Sequence, residues 1–289
     1  MRTHVLPAIV PVLWAPAGPG AAHGAWPPVP RLHPHAMGAL AVLTRGVPVA
    51  NQILAEVEKA LETAPHEQSL ALPDVIVTTT ACLAVAVIAA FPGWRYLANN
   101  FVLYLGLIVV LMIAGIAIAR RSPVTAPLAL GYMVLLGLMV GAFSHAAVGQ
   151  GGNTALITQA ILGTLAGVVG VLAVYATPFG RKASKPGKLF VSLMIGYALI
   201  SLANVVAVIL GVGGGWGFYG VSTIGLVLCA IGVAFAAWSL LVDVGSADRA
   251  IQAGAPRAWS WSLGMALASS IVWLYTEILR LLSILNSSR

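Results

Sequence analysis

The segment IVWLYTEILRLLSIL, Ile271 to Leu285, carries a carboxylate and a guanidinium three residues apart in an otherwise apolar run. A charge at the centre of a membrane-spanning helix costs about 2.5–3.5 kcal/mol on insertion-derived scales, so Glu277 and Arg280 need something to offset them. At this spacing both side chains lie on one helical face, where an internal ion pair lowers the cost of each. Two readings stay open. Arg280 is only a local counter-ion that reaches outward, or Glu277 faces a bundle interior and takes part in an ion or proton pathway.

Beyond residue 74 the only other acids are Asp243 and Asp248. Asp248 stands beside Arg249 and reads as a solvated residue of a connection. Asp243, in WSLLVDVGS, reads as the end of an apolar span, where a carboxylate has less water around it.

Other reactive residue types offer less. Ser144 and His145 are adjacent, so a helix turns them to different faces and they do not act as nucleophile and base on one another. His4, His23, His33 and His35 lack metal-ligand spacing, and GVGGGWGFYG has no lysine after its glycines to cradle a phosphate. Cys82 and Cys229 sit in apolar runs and read as small buried hydrophobes. An intramembrane aspartyl protease would need a Gly-x-Gly-Asp context that neither Asp243 nor Glu277 has. The sequence therefore gives no reason to expect an enzyme or a bound cofactor.

The elements that must position these charges are apolar. The chain has 289 residues, 60% hydrophobic and 8% charged, and its mean hydropathy is +0.96. A soluble domain carries about 25% charged residues, so this composition belongs to a lipid bilayer. The net charge of +7 follows from basic membrane-protein loops and does not point to nucleic acid.

Residues 1–50 hold nine of the seventeen prolines, and 1–72 reads as a flexible Pro/Ala/Gly-rich region. Its first residues have the outline of a signal peptide, interrupted by Pro7 and Pro11. A short amphipathic helix is expected near 49–64, with Ile53, Val57 and Leu61 on one side. Over 73–286, seven spans of about 20 residues fall near 75–92, 97–119, 126–149, 154–177, 189–212, 219–243 and 263–285. Eight basic residues flank one side of these spans and two flank the other, which predicts a cytoplasmic N-terminus and an outside C-terminus. Gly163, Gly167 and Gly170 are spaced for close helix packing, and Asn99, Asn100 and Asn204 for hydrogen bonds between helices.

Four pieces carry a resemblance: GLMVGAFS from Gly137, YATPFGRKASKPGKLFVSLMIGY from Tyr175, LLVDVGSADRAIQAGAP from Leu240, and WLYTEILRLLS from Trp273. They resemble the Bax inhibitor-1 family, in particular its bacterial YccA-like branch, over roughly 73–286. The resemblance implies an all-α membrane protein with six helices surrounding a central seventh, in a bacterial plasma membrane. It also implies a pH-sensitive calcium leak controlled by two carboxylates, which by motif are Asp243 and Glu277. These are the candidate calcium ligands, and Arg280 is the candidate cationic partner. The two would titrate as a coupled unit and bias closed against open packing, and oxygen ligands suit a hard cation. Here the seventh-span carboxylate is Glu rather than Asp, and 34 residues separate it from Asp243, so contact requires the last helix to begin near Trp259 or Trp261. The same resemblance implies an alternative, a regulator that binds a membrane-bound ATP-dependent protease through the N-terminal region.

Overall fold

The fold is that of a computed structural model, which describes residues 68–120, 123–149, 153–212, 217–220 and 222–287. The expected amphipathic helix at 49–64 lies outside the described residues. Within them, seven helices are long and apolar enough to cross a membrane, and no strands are present. In chain order the helices are α1 (Leu72–Pro92), α2 (Phe101–Ala119), α3 (Ala126–Val148), α4 (Ala155–Tyr175), a short α5 (Pro178–Ala183), α6 (Lys188–Ile209), α7 (Ser222–Gln252) and α8 (Ser260–Ser287).

Local chemistry sets several boundaries. Asp74 Oδ2 accepts from the Ala71 N–H at 3.1 Å and starts α1. Pro92 ends its regular turns, and a π-turn at Gly93–Leu97 continues the chain. Gly93 is required there, since a Cβ would collide with the Leu138 backbone of α3. Asn100 then caps α2 by accepting from the Leu103 N–H at 3.1 Å, so the second span begins later than its hydropathy suggests. This asparagine serves its own helix and not a neighbour.

The largest revision concerns α7. Expected to end at Asp243, it runs nine residues further to Gln252. The polar stretch GSADRAIQ continues the helix because its polar side chains find partners. Tyr175 Oη donates to Asp248 Oδ2 at 2.5 Å, and Arg249 Nη2 donates to Ser246 Oγ at 3.0 Å. Asp248 is therefore a half-buried helical residue and not a loop residue.

α8 begins at Ser260, next to Trp259 and Trp261 as the sequence requires. α7, α1, α4 and α3 pack closely against its backbone, α6 meets it through the Tyr197 side chain, and α2 lines a cavity beside it. Glycine makes the close approach possible where α4 meets α8. A Cβ at Gly167 would lie 2.9 Å from Leu274 Cδ2, and one at Gly163 would lie 3.2 Å from Ile278 Cγ2. Gly170 meets nothing within 4 Å and takes no part. Cys82 and Cys229 are free and buried, as apolar packing residues should be.

Candidate functional site

Glu277 is 2% exposed, and three donors converge on its carboxylate. Tyr197 Oη of α6 donates to Oε1 at 2.5 Å, Trp273 Nε1 donates to Oε1 at 3.0 Å, and Arg280 Nη1 donates to Oε2 at 2.7 Å. Helix geometry supplies two of these donors, because positions four back and three ahead share one face of α8. The third comes from α6 and ties two helices through a charge-assisted bond. Arg280 is thus Glu277's partner, as the spacing predicts.

The guanidinium is also held by aromatic faces. Its Cζ lies 4.5 Å from the ring centroid of Tyr219 and 5.3 Å from that of Phe143, both within cation–π range. Tyr219 sits in the turn Gly217–Gly220, which Asn204 fastens by accepting from the Phe218 N–H at 2.7 Å. Gly217 has φ of 62°, and a Cβ there would collide with Asn204, so glycine is needed for this turn. Across the helix pair, Gly232 of α7 gives the carboxylate its room.

Asp243, 5% exposed, has a different setting. Ser270 Oγ of α8 donates to its Oδ2 at 2.5 Å, and Ser239 and Ser270 share a hydrogen bond at 3.1 Å. Among the described residues no cation pairs with it, since the ion pairs are Arg280–Glu277 and Arg257–Asp74. Asp243 and Glu277 do not bind one another in this conformation. Ser270 and Glu277 are seven residues apart on α8, a rise of roughly 10 Å. The close carboxylate pair expected from the sequence is therefore two separate stations, each with its own partners.

A cavity of about 510 Å³ lies beside the Glu277–Arg280 pair. Glu277, Arg280, Thr276 and Ser269 line it from α8, and Ser201 and Asn204 from α6. Ser269 is the sequence neighbour of Ser270, which holds Asp243. No group of three or more His, Cys, Asp or Glu among the described residues could hold a metal ion.

Sequence reasoning found Glu277, Arg280 and Asp243 and missed Tyr197, Tyr219, Trp273, Ser270 and Gly232. Trp273 could have been read from its i,i+4 spacing to Glu277. The others become visible only when helices distant in sequence are brought together. Ser144 pairs with Tyr275 Oη at 3.0 Å, and His145 packs edge-on against Trp94, so both serve packing.

Seven apolar helices with a buried, hydrogen-bonded ion pair define a multi-pass α-helical membrane protein. The sequence model of the family described as Bax inhibitor 1 like matches residues 50–287, and the chain belongs to that family. No curated protein and no solved structure shows a significant match to it.

Proposed function

We propose that the protein is a passive, pH-sensitive cation leak, with calcium as its principal cargo. Asp243 and Glu277 are successive carboxylate stations, and Arg280 is the cationic partner that holds Glu277 in a closed arrangement. The observation that supports this reading most is Asp243 itself, a carboxylate buried within a membrane-spanning helix and paired with no cation among the described residues. A buried carboxylate with no cation beside it has little structural use, and its default reading in a membrane is functional.

The carboxylate of Glu277 gathers Tyr197, Trp273 and Arg280 and so ties α6 to α8 in the closed cluster. The asymmetry of basic residues between the two sides supports a cytoplasmic N-terminus in a bacterial plasma membrane.

Purified protein in liposomes loaded with a calcium dye tests the proposal. Flux should vary between pH 6 and pH 8, and Asp243→Asn or Glu277→Gln should each flatten the profile. A profile unchanged by both substitutions would refute the station assignment. Absence of any cation flux would favour the protease-regulator reading instead.

A further inference from the structure

The guanidinium of Arg280 is under-used. Of its five N–H donors, one, on Nη1, is hydrogen-bonded to a described residue, Glu277. The side chain remains 20% exposed and lines the cavity. A buried cation with spare donors wants an acceptor, preferably a charged one.

The rest of the cavity is of the opposite character. From Arg280 it extends along Leu105 and Ile108 of α2, Leu136 and Met139 of α3, and Val205 of α6. Most of its lining residues are apolar, and the polar ones run along α8 from Ser269 to Arg280 and along α6 from Tyr197 to Asn204. A volume of about 510 Å³ lies within the roughly 300–1,000 Å³ common for small-ligand sites. At about 30 Å³ per water-sized group, it takes one chain of roughly twelve carbons together with a small head. Phe101 at the head of α2, one of the lining residues, is about half exposed.

We infer that this cavity binds a single-chain carboxylate amphiphile, its carboxylate on the free N–H donors of Arg280 and its tail along Leu105, Ile108 and Leu136. Charge complementarity selects the head. Both partners of the neutral Glu277–Arg280 pair line the cavity, but the carboxylate already accepts from Tyr197, Trp273 and Arg280, so the guanidinium is the charged group that can take a new acceptor. Apolar area selects the tail, at about 25 cal/mol per Å² removed from water. Because the spare donors and the cavity exist whether or not ions pass, this site does not rest on the leak reading.

The test uses the full chain in neutral phosphatidylcholine nanodiscs, titrated with ω-bromoundecanoate, whose bromine quenches nearby tryptophan. Trp273 lines the cavity and is the reporter. The signal counted is the quenching that unlabelled dodecanoate reverses. Saturable quenching is expected with the carboxylate, about tenfold weaker binding with the matching bromo-alcohol, and none with bromobutyrate, which lacks the tail. Arg280→Gln should reduce the acid's affinity to that of the alcohol. Ile108→Trp, which fills the cavity from a half-buried position without touching the ion pair, should abolish competition by dodecanoate and keeps the test intact if Arg280→Gln does not fold. Equal binding of acid and alcohol by the wild type would overturn the proposal, as would full competition in Ile108→Trp. Ion flux is not the readout, so failure of the leak and failure of this site are separable.

Discussion

Gly232 of α7 stands directly opposite Glu277 of α8. A Cβ built on it would lie 2.6 Å from Glu277 Oε2 and 2.8 Å from Tyr197 Oη. The smallest residue therefore occupies the one position where a methyl group would enter the carboxylate's hydrogen-bond shell. Gly232→Ala should destabilise the protein by about 1–3 kcal/mol, the usual cost of overpacking. Gly196→Ala, where nothing lies within 4 Å, should be neutral or slightly stabilising, since alanine is the better helix former. Thermal unfolding in detergent, with the two variants side by side, checks this. An equal effect would show that the loss is not local to Glu277.

Arg280→Gln leaves Glu277 buried without its counter-charge and should cost about 3–5 kcal/mol. Glu277→Gln keeps an acceptor for Tyr197 and Trp273 and should cost less, about 1–3 kcal/mol. If the pair is the source of both effects, the double substitution should cost less than the sum of the singles. Additive melting shifts would show that the two residues act independently.

Ser270 is the only described donor to Asp243. Ser270→Ala should cost about 1–3 kcal/mol by leaving a buried carboxylate without a partner. The same change in an Asp243→Asn background should cost less, because the amide carries no charge to satisfy. Melting temperatures of the four proteins form the cycle, and strict additivity would remove Ser270 from the account.

At the far end of α8 the Asp74–Arg257 ion pair is a milder case. Arg257 is 57% exposed on its side chain, so Arg257→Ala should cost less than about 1 kcal/mol. Asp74→Ala also removes the acceptor for the Ala71 N–H, and loss of such a cap typically costs about 1 kcal/mol more. The prediction is an order, Asp74→Ala worse than Arg257→Ala. The reverse order would mean that the capping bond contributes nothing.

How much of this was legible in the sequence depended on range. The seven spans were readable because each must be about 20 apolar residues long, and the Glu277–Arg280 bond because three residues on a helix are neighbours in space. Asp243 was located but placed at a helix end, since hydropathy falls away after it. The helix continues because Asp248 and Arg249 find Tyr175 and Ser246, and hydropathy does not register such bonds. Tyr197 looked like any aromatic in an apolar run until α6 met α8, and Gly232 looked like any small residue. The carboxylates were expected to touch because a family pattern gives residue types, while their separation depends on helix register.

The Leu70 N–H donates to Ala255 O at 2.7 Å, and Ser69 forms an antiparallel bridge with Pro256. The backbone just before α1 is thereby buttoned to the bend between α7 and α8. If α8 slides along its axis to free Glu277, the button must travel with it or come undone. The amide of Leu70 is thus a natural strain gauge, and its exchange with solvent deuterium would report any movement of a helix whose own amides are shielded inside the bundle.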